Sequence, residues 1–300
     1  MLMCFDIGGS AIKPAVANSP EQLKSLPILK TPLRDYDAFI DIIASCVGDA
    51  KGISISITGV IDPVTGILKC TNIACADGKK LAADLKTATG LPVQISNDAD
   101  CFTLAEATLG AGRGHRNVFG IILGSGVGGA LVIDGRIVSG SGGFVGEWGH
   151  GQILATKVKS PERDIPHFLC GCGQYGCVNT VGGARGLEVL HQYLNHQTRT
   201  SREIITAWRT GDTAAANTLA TYLELVNPPL AFAINITGAG IVPVGGGLSE
   251  VPELITLLDQ NVRAKLLRKT TSPILIKAYN QVEPGLIGAA IVGFQELNNA

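Results

Sequence analysis

The sequence has almost no net charge and few charged residues, and both shortages exclude classes of protein. Its 300 residues carry 24 Lys and Arg against 25 Asp and Glu, a net charge of −1. This balance provides no basic field for nucleic acid and no polybasic patch for anionic lipid. Because 46% of the residues are hydrophobic and only 16% are charged, the composition also excludes an intrinsically disordered chain.

The sequence also lacks a membrane-spanning run and a secretory signal. Its longest uncharged stretch, residues 225–249, is interrupted by Pro228, Pro229 and several glycines, which predicts a buried helix followed by a buried strand. Asp6 ends the first apolar run after five residues, so we expect no secretory signal. We therefore expect a cytoplasmic protein whose thiols stay reduced.

Two nucleotide-binding signatures are absent, although glycine is abundant. The sequence contains no G-x-x-x-x-G-K-[ST] pattern, and the glycines of residues 124–129 lack the dinucleotide-binding spacing and precede a strand. The sequence contains 38 glycines, and short runs of them follow apolar strands at residues 8–9, 124–129 and 245–247. Glycine lets phosphate oxygens approach the backbone, so these three turns together predict a nucleotide site.

Periodicity predicts an α/β protein of two domains, each opened by a hairpin with a glycine-rich tip. The predicted strands are residues 1–6, 11–16, 53–57, 93–95, 118–123, 130–134, 241–244 and 274–277. The predicted helices are residues 36–47, 80–89, 98–109, 181–196, 201–210, 213–236, 252–267 and 286–297. We expect an N-terminal domain of residues 1–113, joined by the C-terminal helix 286–300, and a larger domain of residues 114–285.

Two acidic segments follow predicted strands. Asp6 precedes Gly8, Gly9 and Ser10, and its carboxylate could orient Mg²⁺ through water. Asn97 and Asp98 end one strand and open a helix, where both types favour the N-cap. Capping is compatible with catalysis, because an aspartate there can accept the proton of a substrate hydroxyl.

Three cysteines at C-x-C-x4-C spacing, Cys170, Cys172 and Cys177, alternate with glycine and predict a zinc site. Three thiolates leave one position of a tetrahedral ion for a histidine, and His150 and His167 are both candidates. Glu147 lies three residues before His150 and could accept hydrogen bonds from sugar hydroxyls.

These segments, in this order and over nearly the whole chain, resemble the ROK family of repressors and sugar kinases. The matching segments are residues 6–10, 97–101, 123–129, 146–150 and 170–177. The likeness is nearest to the N-acetyl-D-glucosamine kinases of that family, and residues 72–81 also look like their sugar-contacting loop. It implies the actin-like ATPase (ribonuclease H-like) fold, with two α/β domains around a central cleft that holds the sugar. It also implies transfer of phosphate from ATP to the 6-hydroxyl of an N-acetylhexosamine, and a homodimer.

The resemblance assigns roles residue by residue. It implies Asp98 as the catalytic base, with Asn72, Asn97, Glu147 and His150 binding the sugar. It implies His150, Cys170, Cys172 and Cys177 as the zinc ligands. The implied contacts for ATP and Mg²⁺ are Asp6, Gly8, Gly9, Ser10, Lys13, Gly124, Ser125, Gly126, Gly128, Gly245 and Gly246.

The chain departs from the family pattern at Asn179, where a glutamate that contacts sugar hydroxyls is usual. Asparagine lacks the charge that strengthens such bonds, so a kinase for glucose, N-acetylmannosamine or fructose stays open, as does a non-catalytic sugar sensor. A repressor of the family is disfavoured, because only five residues precede Asp6 and the charge is not basic. Pro14, in a predicted strand, requires an edge or a bulge.

Overall fold

The computed structural model describes residues 1–159, 162–279 and 283–296, and in it the chain forms two compact units. The first unit holds residues 1–110, residues 135–145 and the described C-terminal residues from 283. The second holds residues 111–134 and the described part of residues 146–279. The domain boundaries expected from the sequence stay a prediction: residues 1–113 with 286–300, and residues 114–285.

Strands and helices alternate along much of the chain. The strands are β1 (Leu2–Ile7), β2 (Ala11–Ser19), β3 (Gln22–Ser25), β4 (Leu29–Lys30), β5 (Ile53–Ile57), β6 (Val60–Ile61), β7 (Leu68–Lys69), β8 (Val93–Asn97), β9 (Asn117–Leu123), β10 (Val127–Ile133), β11 (Arg136–Ile137), β12 (Lys157–Lys159), β13 (Glu162–Asp164), β14 (Val242–Gly245) and β15 (Leu275–Lys277). The helices are α1 (Tyr36–Ala44), α2 (Leu81–Thr89), α3 (Asp98–Leu109), α4 (Asn179–Gly182), α5 (Ala184–Asn195), α6 (Ser201–Arg209), α7 (Thr213–Thr237), α8 (Pro252–Lys265) and α9 (Pro284–Glu296).

The helix predicted at residues 181–196 is confirmed as α5, Ala184–Asn195, but its predicted start is wrong, because the chain breaks between α4 and α5 at Gly183. Gly183 is extended, and a Cβ there would lie 2.6 Å from the Cα of Gly126. The close backbone contact therefore interrupts a helix that periodicity alone would continue. The last predicted helix, residues 286–297, begins earlier, at Pro284, and its predicted end at Leu297 lies outside the described residues.

The sheet of the first unit has the order β3-β2-β1-β5-β8, with β4 also paired to β2. Strands β1, β5 and β8 are parallel to one another, and β2 is antiparallel to β1. Pro14 lies in β2 between the residues that pair with β4 and those that pair with β3. Pro14 itself pairs with neither β3 nor β4, so its missing N–H interrupts no pairing on that side of β2 and requires no bulge.

The period-two alternation of β1 gives the sheet one bulky face and one face of mostly small residues. Met3 and Phe5 belong to the core that includes the buried residues of α1 and α2. Cys4 belongs to a second core, shared with α3 and α9. On the same face of β5, Ser54 donates a hydrogen bond to the carbonyl oxygen of Ala289 in α9, at 2.6 Å. These small side chains let α9 approach the sheet closely.

The second unit contains a sheet in which β10, β9, β14 and β15 are neighbours. Strand β9 pairs antiparallel with β10 and parallel with β14, and the latter pairs parallel with β15. Its core combines apolar residues of β9 and β14 with those of α5, α6, α7 and α8. Among the residues that the structure describes, no helix combines the length and apolarity needed to cross a membrane.

We expect Gly288→Ala to destabilise the first unit. Gly288 lies in α9, where an added Cβ would collide with the backbone of Cys101 in α3. Overpacking of this kind costs about 1–3 kcal/mol, which outweighs the advantage of about 1 kcal/mol that alanine has in a helix. The midpoint of urea unfolding, followed by circular dichroism, should fall.

Gly247→Ala provides the control, because an added Cβ at Gly247 meets no atom within 4 Å. Its unfolding midpoint should stay close to that of the wild type. An equal or higher midpoint for Gly288→Ala would contradict the tight contact between α3 and α9.

Candidate functional site

The carboxyl ends of three parallel strands carry the predicted acidic residues of the first unit. Ile57, the last residue of β5, pairs with Asn97, the last of β8, and β1 ends at the same level. Asp6, Thr58 and Asp98 therefore lie at one edge of the sheet. This is the edge at which open α/β sheets bind ligands.

Asp98 is the first residue of α3, and both of its carboxylate oxygens accept hydrogen bonds. Oδ2 accepts from the Thr58 hydroxyl at 3.1 Å, and Oδ1 accepts from the Ala99 backbone N–H at 2.9 Å. Burial raises the pKa of Asp98, and the bond from Thr58 opposes that rise by stabilising the charged form. The side chain is thus a fixed carboxylate with raised proton affinity, which suits a general base.

Asn97 caps α3, as its residue type favours. Its Oδ1 accepts from the Ala99 N–H at 2.8 Å, while Nδ2 donates to the Gly59 carbonyl oxygen at 2.8 Å. An amide nitrogen carries two hydrogens, so the second could serve a ligand. The side chain therefore aligns the start of α3 with the chain that follows β5.

Asp6 lies opposite Lys13 in the β1–β2 pair and is held by its neighbours. Its Oδ1 accepts from the Ser56 hydroxyl at 3.0 Å, and its Oδ2 lies 3.8 Å from Lys13 Nζ. The same Nζ lies 3.1 Å from Glu283 Oε2. Burial raises the pKa of Asp6, and the bond from Ser56 and the charge of Lys13 counteract it.

The turn at Gly8, Gly9 and Ser10 adjoins the predicted sugar loop. Gly8 N–H donates to the Ala11 carbonyl oxygen at 3.0 Å and closes the hairpin. A Cβ on Gly9 would lie 2.9 Å from the carbonyl oxygen of Asn72, so glycine permits this approach. Ser10 and Asn72 are both exposed, and their side chains are accessible to ligands.

The two glycine loops of the second unit also adjoin each other. Gly245 pairs with Ile122, which brings the ends of β14 and β9 together. Gly246 has a φ of +83°, and a Cβ there would lie 2.5 Å from the carbonyl carbon of Leu123. The structure therefore brings residues 245–246 next to Gly124, as a shared phosphate site requires. The loop that contains Gly124 also carries Ser125, Gly126 and Gly128, the other residues predicted there to contact ATP.

The histidine and three cysteines predicted as metal ligands form one cluster. The ligand atoms of His150, Cys170, Cys172 and Cys177 all lie within 4.8 Å of one another. His150 Nδ1 lies 3.7 Å from Cys170 Sγ, and the sulfurs of Cys172 and Cys177 are 3.7 Å apart. The four ligand atoms therefore lie close together, and these four residues could hold a metal ion.

The other ring nitrogen of His150 faces Glu147. His150 Nε2 lies 3.8 Å from Glu147 Oε2, and the Glu147 side chain is 45% exposed. His167, the alternative ligand, lies outside the cluster, because its Nε2 bonds to the Leu154 carbonyl oxygen at 2.8 Å. The cluster thus adjoins an acid that is open to a ligand.

The cysteine cluster contains thiols with different proton affinities. The backbone N–H of Gln174 lowers the pKa of Cys172 to about 7, whereas burial raises the pKa of Cys177 to about 11. A bound cation would favour the thiolate of each, because metal ligation deprotonates thiols.

Sequence reasoning did not identify Thr58, Ser56 and Glu283 as neighbours of the predicted acids. Thr58 directly follows the predicted strand 53–57, so the strand-end argument that found Asp98 could have found it. Glu283 is 270 residues from Lys13 along the chain, and no local pattern connects them. Asn179, where the resemblance leads one to expect a sugar-contacting glutamate, accepts at Oδ1 from the backbone N–H of Val127 at 2.8 Å.

Comparisons with known proteins identify the family of the chain. A family model described as the ROK family matches residues 2–296. An N-acetyl-D-glucosamine kinase of Escherichia coli O6:H1 is 35% identical over 295 residues, which cover 96% of this chain and 97% of that protein. The ROK hexokinase of Thermus thermophilus is 26% identical, with a TM-score of 0.87 over 100% of this chain and 99% of its own.

A third match is a ROK family glucokinase from Streptomyces griseus, solved in complex with glucose and AMPPNP. It is 25% identical, with a TM-score of 0.75 over 98% of this chain and 99% of its own. The mixed α/β units and these likenesses confirm the actin-like ATPase fold with two domains. The chain belongs to the ROK family.

We expect His150→Ala to lose bound metal and His167→Gln to retain it. His150 supplies one of the four converging ligand atoms, whereas the His167 ring is bonded to a backbone carbonyl. Elemental analysis of the purified, folded variants measures the metal carried per chain. Retention by His150→Ala together with loss by His167→Gln would contradict the ligand set.

Proposed function

We propose that the chain is an ATP-dependent kinase that phosphorylates the 6-hydroxyl of N-acetyl-D-glucosamine. The observation that carries the substrate is the 35% identity to an N-acetyl-D-glucosamine kinase over 96% of the chain. The hydrogen-bonded Asp98 supports the chemistry.

Asp98 acts as the general base in this proposal. It takes the proton of the 6-hydroxyl while the sugar oxygen bonds to the γ-phosphorus of ATP, and the bond from that phosphorus to ADP breaks. The bonds from Thr58 and Ala99 fix both carboxylate oxygens, so little reorganisation is needed when the hydroxyl arrives. Protein groups mainly position the reactants in such transfers.

The sugar contacts in this proposal are Asn72, Asn97, Glu147 and His150. The exposed carboxylate of Glu147 can accept from two neighbouring hydroxyls, and the spare amide hydrogen of Asn97 can donate to one. The phosphates contact the turns at Gly8–Ser10 and Gly124–Gly128, together with Gly245 and Gly246.

Mg²⁺, which accompanies ATP, supplies positive charge to the phosphate oxygens when it is bound. The residue that would orient it is Asp6. Ser56 occupies Oδ1, and Oδ2 faces only the Lys13 ammonium at 3.8 Å among the contacts of the described residues. A carboxylate oxygen of this kind fits a hydrated magnesium ion, which keeps much of its water.

The four-residue cluster fits a structural zinc ion. Zinc–sulfur bonds of about 2.3 Å in a tetrahedron place sulfurs about 3.8 Å apart. The 3.7 Å between Cys172 and Cys177 agrees with that value. Zinc held by His150, Cys170, Cys172 and Cys177 would stiffen the turn that carries Glu147.

A homodimer and a cytoplasmic location stay predictions.

The substrate is tested by coupled ADP release with Mg-ATP and N-acetylglucosamine, N-acetylmannosamine or glucose. We expect the highest kcat/KM for N-acetylglucosamine, and phosphorus NMR should show the 6-phosphate. Glucose is the second candidate, because the solved ROK proteins described above are a hexokinase and a glucokinase. Tenfold preference for glucose would reassign the sugar, and no turnover with any sugar would contradict the proposed activity.

We expect Asp98→Asn to lower kcat by about 10²–10⁴-fold, the usual contribution of a general base. The amide keeps the shape of the carboxylate, so the KM for the sugar should change little. Asp41→Asn, which alters an exposed carboxylate of α1, is the control and should keep full turnover. Near-normal turnover of Asp98→Asn would refute the assignment of the base.

We expect activity to disappear as the pH falls through the pKa of Asp98, because protonation removes the base. Burial raises that pKa, and the hydroxyl of Thr58 lowers it. Thr58→Val should therefore move the acid limb of the kcat/KM profile to higher pH, while Thr58→Ser keeps the hydroxyl and should resemble the wild type. Identical acid limbs for Thr58→Val and Thr58→Ser would show that the hydroxyl does not tune Asp98.

A further inference from the structure

We propose that Asn179 is a positioning residue that ties the glycine loop 124–129 to the cysteine cluster, instead of contacting the substrate. Its side-chain Oδ1 accepts from the backbone N–H of Val127 at 2.8 Å, and its Nδ2 lies 3.7 Å from Cys170 Sγ. Its own backbone N–H donates to the Gly149 carbonyl oxygen at 2.9 Å, next to His150. One residue thus joins three segments of the second unit.

The orientation of the Asn179 amide follows from its partners. The backbone N–H of Val127 can only donate, so the atom that faces it must be the amide oxygen. The amide NH₂ then necessarily faces the sulfur of Cys170, which can accept a hydrogen bond and which a bound metal ion would deprotonate. A bond from a neutral donor to a charged acceptor is stronger than one between neutral groups.

The fit around the amide is close on the loop side. A Cβ on Gly126 would lie 2.5 Å from Asn179 Oδ1, so only glycine leaves room for this contact. On its other side the loop is held by α5, because Gly124 and Ser125 accept at their carbonyl oxygens from the N–H groups of Ala184 and Arg185. Asn179 supplies the bond that fixes Val127, the residue of the loop at which β10 begins.

A glutamate at this position could not make the same pair of bonds. An ionised carboxylate only accepts, so an oxygen directed at Cys170 would face a thiolate rather than donate to it. The amide of Asn179 has both a donor and an acceptor. Its chemistry therefore suits a connection between a backbone N–H and a thiolate.

This connection links metal retention to the shape of the loop. Hydrogen bonds to metal ligands orient them, and their loss typically lowers metal affinity by about 10–100-fold. In the proposed kinase, on which this step rests, the loop contacts ATP. Removing the amide should therefore weaken ATP binding and metal retention. While zinc is kept in excess, the affinity for the sugar should stay unchanged.

The test compares Asn179→Asp and Asn179→Ala with the wild type in zinc-loaded protein. The rate of zinc release to a colorimetric chelator reports the bond to Cys170 without any turnover. We expect release to be about tenfold faster or more in Asn179→Asp, which keeps the acceptor for Val127 but loses the donor. Asn179→Ala loses both bonds, so it should also raise the KM for ATP several-fold with zinc in excess.

Asn235→Asp is the matched control. Its Oδ1 likewise accepts a backbone N–H, that of Leu267 at 3.2 Å, and the contact is exposed. Its zinc release and both KM values should equal those of the wild type. Circular dichroism confirms that each variant is folded, and Asn179→Asp, nearly identical in shape to the wild-type residue, keeps the test decisive if Asn179→Ala does not fold.

Unchanged zinc release in Asn179→Asp would overturn the proposal. So would a rise of the KM for the sugar alone in Asn179→Ala, because that result would identify Asn179 as a substrate contact. A failure of the proposed kinase function would look different, since the wild type itself would then show no turnover while zinc release could still be measured.

Discussion

Close approach of backbone to backbone at glycine is the constraint on which both units depend. In the first unit, Gly288 lets α9 pack against α3, and Gly9 lets the first turn adjoin Asn72. In the second unit, Gly183 meets Gly126 and Gly246 meets Leu123. At each position a methyl group would separate elements that are in direct contact. The abundance of glycine is therefore a requirement of packing as well as of phosphate binding.

The strand pattern explains why the acidic residues could be predicted from the sequence. Parallel strands end at the same edge of a sheet, so a carboxylate that follows an apolar run is directed toward the same edge as others like it. This argument found Asp6 and Asp98 correctly at strand ends. It did not find Thr58, because threonine after a strand is common, and its meaning depends on the neighbour that pairing brings to it.

The remaining features depend on contacts between residues far apart in sequence. Periodicity predicted one helix over residues 181–196, but the approach of Gly183 to Gly126 breaks it, and no local pattern encodes that approach. The pairing of Lys13 with Glu283 is equally remote. The spacing of the cysteines predicted three ligands. The choice between His150 and His167 came from resemblance, because the distance along the sequence to the cysteines allows either histidine to be the fourth ligand.

The proposed role of Asn179 is compatible with the activity of the family. Identity of 35% over 96% of the chain supports the same class of reaction. The role of residue 179 depends instead on which groups its own side chain can bond to. The Asn179 amide lies against Gly126, accepts a hydrogen bond from the Val127 N–H and donates one to the sulfur of Cys170. In the proposed kinase, sugar selectivity would then rest on Asn72, Asn97, Glu147 and His150 rather than on residue 179.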